Sequence, residues 1–299
     1  MKPYTKPPLT IDEQIDLLLA RGLQVPDRSK AAHYLANISY YRLSAYMLAY
    51  QQKDGSHRFL PGITFDQVLE LYVFDRALRM FVFDAIERIE VAVRTRLIYQ
   101  MALQHGSHWQ ERQDLFKARA DFFTLQKQID EACAQNNQEV FIKHYLDTYD
   151  PPVRPASWMS LEILTMGSLS RVYKGLKHNP DKTLVATHFG LHPHVMESWL
   201  HMLTYVRNLC AHHSRLWNRE LGIQPALLHK PQRAWIDPAF NNNGRMYYVL
   251  CCLRYLLLGI NPHGSYTARL KTLLATYPSV PMQYMGFTPE WEKEPLWVA

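Results

Sequence analysis

Apolar positions recur at helical spacing along most of this chain. Between residues 65 and 104, Val68, Tyr72, Leu78, Val82, Ile86, Ile89, Val93 and Leu97 share one face, broken once at Asp75. This pattern predicts one long helix, opened by Thr64 and Gln67, with Glu90 and Arg94 placed i,i+4 on it. Upstream, Thr10 and Glu13 form a capping-box signature and Gly22 ends the short helix it starts. Residues 28–50 read as a second helical stretch, and DGSHRFLPG (54–62) as a loop. Downstream, 105–114 is polar loop, one or two helices fit between Phe116 and Tyr149, and DPPVRP (150–155) is a firm breaker. Helical stretches follow over 157–176, 183–189 and 193–214, the last with Pro193 in its first turn. A loop with Pro225, Pro231 and Pro238 leads to an apolar helix at 244–259, a short helix near 265–276 and a Pro- and Trp-rich tail.

This pattern, with Gly scarce at 12 of 299 residues, predicts an all-α fold. No repeat or clean linker appears. The chain reads as a single domain over 1–299, with an N-terminal helical part at 1–60, a core at 61–260 and a tail at 261–299. The most apolar run, 246–260, is too short to span a bilayer and carries Arg254, so no membrane partner is expected. The N-terminus has no apolar signal region. Cys133, Cys210, Cys251 and Cys252 show no paired spacing, which suits a reducing cytoplasm.

Charge sharpens the picture. The net charge is +6, and residues 151–234 hold ten Lys/Arg against four Asp/Glu, together with eight of the 14 histidines. A basic, His-rich segment suits a polyanion such as nucleic acid, though an ordinary basic surface has the same composition.

Within that segment lies Arg207-Asn208-Leu209-Cys210-Ala211-His212-His213. On a helical wheel Trp199, Leu203, Val206 and Cys210 form a narrow apolar stripe, with Arg207 at its edge. The opposite face carries His201, Thr204, Tyr205, Asn208, His212 and Arg215, and neither Lys nor Glu. Such a face suits an interface or a site more than solvent. The imidazole of His212 can move a proton near neutral pH, and the Arg207 guanidinium can hold a phosphate. Arg207 and His212 flank a ridge within one protomer, so two helices related by a twofold axis would bring them into one cleft. On the wheel His213 turns toward the core, so chemistry is assigned to His212 and packing to His213.

The R-N-x-x-x-H element on a late helix resembles the signature of the HEPN superfamily of small α-helical RNases. Four segments resemble the Abi-like family of bacterial phage-abortive-infection proteins, of the AbiD/AbiF type: SYYRLSAY (39–46), FDRALRMFVFDAIERIEVAVRTRL (74–97), SWMSLEILTMGSLSRVYKGL (157–176) and RNLCAHHSRLWNR (207–219). The resemblance implies a HEPN-like helical bundle with additional N- and C-terminal helices, in a bacterial cytoplasm. It implies a metal-independent endoribonuclease, or an RNA-binding protein of that ancestry, needing no cofactor. The motif carries over to Arg207, Asn208 and His212 at the cleft of a homodimer. There the RNA 2′-OH would attack the adjacent phosphate, with His212 as base or acid, Arg207 on the phosphate and Asn208 orienting. The family context also suggests restraint by a partner RNA or protein.

Other residues invite a role. Tyr41 and Arg42 could stack a base and grip a phosphate, whereas Tyr40 and Tyr46 read as packing. Arg215, Trp217 and Arg219 could extend an RNA platform, although a Trp after a helix end more often plugs the core. Glu87 and Glu90 each need a cation, with Arg94 nearby and Arg207 as a long-range option. His188, His192 and His194 have metal-ligand composition, but Gly190 and Pro193 interrupt them and no metal is expected. Three readings compete with the RNase: a noncatalytic ribonucleoprotein with a small regulatory RNA, a protein-interaction scaffold, and a target of nucleotidyl transfer.

Overall fold

The computed structural model describes residues 3, 5, 7–134 and 138–298. Among them it has thirteen α-helices, five short 3-10 helices and no strand, so the fold is all-α as the periodicity predicts. The chain divides into two compact units, one of residues 1–79 and 271–281 and the other of 80–270 and 282–299.

In the first unit, α1 (Ile11–Ala20) starts at the capping box: Glu13 N donates to Thr10 Oγ1 at 3.3 Å, and Thr10 N donates to Glu13 Oε2 at 2.7 Å. The stretch read as one helix over 28–50 splits into α2 (Arg28–Ile38) and α3 (Tyr40–Met47). Ser39 separates them with φ of 72° and recaps the chain, its hydroxyl accepting from Arg42 N at 3.3 Å. The long helix α4 (Phe65–His105) then begins. Leu18, Leu35, Leu43, Met47, Val68, Leu71 and Phe74 fill the core. Asp75, the one break in the apolar pattern of α4, is fully buried, paired with Arg79 one turn on, and accepts from the Tyr46 hydroxyl at 2.7 Å. Burial and the Asp75 carboxylate push the Tyr46 phenol well above its ordinary range.

The second unit holds the rest of α4, α5 (Arg119–Cys133), α6 (Val140–Thr148), α7 (Ser157–Ser160), α8 (Met166–Gly175), α9 (Asn179–His188), α10 (Pro193–Ala211) and α11 (Met246–Ile260). The stretch predicted over 157–176 is broken between α7 and α8. Arg94 reaches over from α4, bonding Glu90 at 2.8 Å and Glu162 at 3.4 Å and donating to Leu164 O at 2.9 Å. Thr165 then caps α8, accepting from Ser168 N at 3.3 Å. Every residue of α11 from Met246 to Leu257 is buried. The loop after α10 is tied to this unit by its aromatic groups. Tyr248 OH accepts from Leu228 N at 3.0 Å, Tyr255 OH from Gln232 N at 3.0 Å, and Trp199 Nε1 donates to Ala226 O at 2.9 Å. The C-terminal tryptophans belong to the same core, Trp297 Nε1 donating to Tyr247 OH at 3.2 Å. Among the described residues no helix is long and apolar enough to cross a membrane.

Candidate functional site

Helix α10 is held along most of its length. Besides the predicted stripe of Trp199, Leu203, Val206 and Cys210, it also buries Met196, Leu200 and Met202, because α8 and α9 both pack against it. At Gly167 of α8 the contact with α10 is tight: a Cβ there would lie 3.3 Å from Thr204 Cγ2. What remains open is the strip of His201 and Asn208, with Thr204 and Tyr205 half-buried beside it.

The helix ends at Ala211, three residues before the predicted end. His212 N bonds to Asn208 O at 3.0 Å, so His212 is the C-cap residue. His213 N then bonds to Cys210 O at 3.0 Å and Ser214 N to Leu209 O at 2.8 Å. This pair of bonds is a Schellman closure, which places His213 at the left-handed position with φ of 55°. The wheel therefore stops applying before His213, and the packing role assigned to it is corrected: its side chain is exposed, like that of His212. Arg215 lies in the turn after the helix rather than on its face, and it is half-buried.

Arg207 is half-buried one turn before this closure. Its guanidinium stacks over the Phe83 ring of α4, 5.7 Å from the centroid. Among the described residues it makes no ion pair or hydrogen bond. Glu90 goes to Arg94 instead, and Glu87 is exposed, so the long-range bridge from Arg207 to either carboxylate is not formed. Sequence reading passed over Phe83, because an isolated aromatic at a helix flank has no local signature.

Leu216 and Trp217 anchor the chain after the closure. Trp217 is 0% exposed and packs edge-on against Tyr284 at 5.6 Å. The proposed base-stacking role of Trp217 is therefore withdrawn, since the ring has no free face. Arg219 is half-buried and donates from Nε to Arg215 O at 2.6 Å. Of the residues in the first unit, Tyr41 is 88% exposed and Arg42 is exposed. Tyr46 is core, as expected of packing, and Tyr40 is half-buried with its hydroxyl accepting from Arg21 at 2.7 Å.

The histidines before α10 are used structurally. His192 is the N-cap, its Nδ1 accepting from His194 N at 3.3 Å. His188 sits edge-on to Phe189, and partial burial, Arg96 and Arg233 hold its imidazole below the ordinary value. Among the described residues no group of three or more His, Cys, Asp or Glu could hold a metal ion.

The end of α10 thus offers an exposed imidazole, an exposed amide and a guanidinium whose N–H donors are unengaged among the described residues, all set by one helix terminus. Neither the curated proteins nor the solved structures include a match to the chain. A model of the Abi-like protein family matches residues 33–218, more than half of the chain, and that span takes in α4, α8, α10 and its closing turn. The chain belongs to the Abi-like family, a membership that suggests abortive-infection phage defence.

Proposed function

We propose that this Abi-like protein is a phage-defence effector of the HEPN type that cleaves RNA without a metal, at a site shared between two copies of α10. The observation that carries the reading is Arg207, a half-buried guanidinium with no acceptor among the described residues, on the same helix end as exposed Asn208 and His212. A cation held with its donors unused is suited to a phosphodiester.

In the proposed step His212 takes the proton of an RNA 2′-OH as O2′ bonds to the adjacent phosphorus. The bond from phosphorus to O5′ breaks, and a protonated imidazole returns a proton to the departing oxygen. The products are a 2′,3′-cyclic phosphate and a 5′-hydroxyl. Arg207 stabilises the charge on the phosphoryl oxygens as the fifth bond forms. Asn208 orients the phosphate or the imidazole. The four free cysteines suit the reducing bacterial cytoplasm in which such an effector would work. Arg215 and Arg219, next in the chain, would extend the grip on the RNA backbone.

The test is cleavage of RNA by the purified full chain in EDTA. Wild type is expected to cut and leave cyclic phosphate ends. His212→Ala should lower the rate about 100-fold or more and Arg207→Ala by a similar factor. A well-folded wild type that retains RNA but does not cut it would replace this reading by the noncatalytic ribonucleoprotein.

A further inference from the structure

The other end of α10 carries a second cluster of charge. A cavity of about 410 Å³ opens where the N-terminal turns of α9 and α10 meet the segment before α5, lined by Lys117, Lys182, His192, His194 and Glu197. Lys182 is the unusual member, with only 3% of its side chain exposed. Its ammonium donates to Lys174 O at 2.9 Å and to Glu197 Oε2 at 2.8 Å, and its ring neighbour is Tyr173. The third N–H has no acceptor among the described residues.

A second ammonium is brought against the first. The bridge between Phe116 and Leu176, with Lys117 N bonded to Gly175 O at 2.8 Å, fixes Lys117 at the wall of the same cavity as Lys182. Burial pulls the Lys182 amine below its ordinary value, Glu197 opposes this, and Lys117 adds to the fall. The lining holds two lysines and one carboxylate, Glu197, which pairs with Lys182, so the cavity wall carries a positive excess among the described residues.

We propose that this cavity is a phosphate-monoester site, taking either the 5′-phosphate of an RNA strand or the phosphate of a mononucleotide. A compact group with several oxygens and a charge near −2 can accept from Lys117 and from the free N–H of Lys182 together, which relieves the repulsion between them. Glu197 stays with Lys182 and sets the side from which the anion enters. The cavity is distinct from the Arg207 site, since Glu197 and Arg207 lie roughly 15 Å apart along the axis of α10.

The test uses the full chain and 2′-O-methyl oligonucleotides, which cannot be cut, so its outcome is independent of the RNase reading. Anisotropy is measured for one 3′-labelled sequence with a 5′-phosphate or a 5′-hydroxyl, and melting temperature is measured with AMP and with inorganic phosphate. If RNA ends are the source, the 5′-phosphate strand binds about tenfold more tightly, and Lys117→Ala removes the preference while Lys117→Arg and Arg207→Ala keep it. If free nucleotides are the source, the two strands bind alike and AMP stabilises wild type but not Lys117→Ala. Lys117 is exposed, so these variants avoid the folding defect that a change at buried Lys182 brings. Equal strand affinities with no stabilisation by AMP or phosphate, or effects that survive Lys117→Ala, overturn the proposal.

Discussion

At the residue scale, His213 occupies a position that usually takes glycine. A side chain at φ of 55° costs on the order of 1 kcal/mol, a strain that glycine does not carry. His213→Gly is expected to raise stability by about 0.5–1 kcal/mol, read as a higher urea midpoint at unchanged slope. Asp75 lies at the opposite extreme. Asp75→Ala leaves Arg79 buried without its carboxylate, and a loss of about 3–5 kcal/mol is expected in the same assay. His188 supplies a pH effect. Its folded-state value is lowered, so the unfolded chain binds the proton more readily and stability falls as pH drops through the ordinary imidazole range. Histidine NMR should place its midpoint below the ordinary value, and Arg96→Ala should move it upward.

The candidate residues of the proposed site were picked out at this scale, and their neighbours were not. Arg207, Asn208 and His212 stand out because of their spacing and because the face around them lacks Lys and Glu. Composition does not distinguish a tryptophan that stacks on bases from one that plugs a core, and Trp217 is the second kind. The pocket of Lys117 and Lys182 was not visible, since its members are far apart in sequence and only the fold brings them together.

At the element scale, periodicity located the helices better than it located their ends. The long α4 was read to within a residue at its C-terminus, because nothing along it competes with the helical ladder. The single stretches at 28–50 and 157–176 break where capping hydroxyls at Ser39 and Thr165 offer the backbone another partner, and at 157–176 a guanidinium from another helix takes a carbonyl. The contact of α8 with α10 depends on the missing side chain at Gly167. Gly167→Val drives branched carbons into Thr204 and is expected to cost about 1–3 kcal/mol, measured as a lower melting temperature, with the proposed RNA cleavage reduced as α10 is displaced.

At the scale of the whole molecule, the fold class could be read from the chain because helical spacing pervades it. The division into two units could not, because the first unit recruits residues 271–281 from the far end of the sequence. The C-terminal tryptophans are likewise core of the second unit rather than a loose tail. Trp297→Ala empties a site beside Tyr247, Tyr266 and Trp291, and it should destabilise that unit by about 3–5 kcal/mol, seen by calorimetry.

The closing turn of α10 also makes the readiness of His212 observable without any substrate. The imidazole is placed by two backbone hydrogen bonds, donated by His213 N to Cys210 O and by Ser214 N to Leu209 O, which close only when the last helical turn is wound. Each time that turn frays, both amides meet solvent and the imidazole leaves its position relative to Arg207. Hydrogen-deuterium exchange at the His213 and Ser214 amides therefore reports the fraction of time the proposed catalytic pair is assembled. A partner or RNA that restrains the protein by unwinding this turn would speed exchange at those two amides while leaving the buried amides of α11 unchanged.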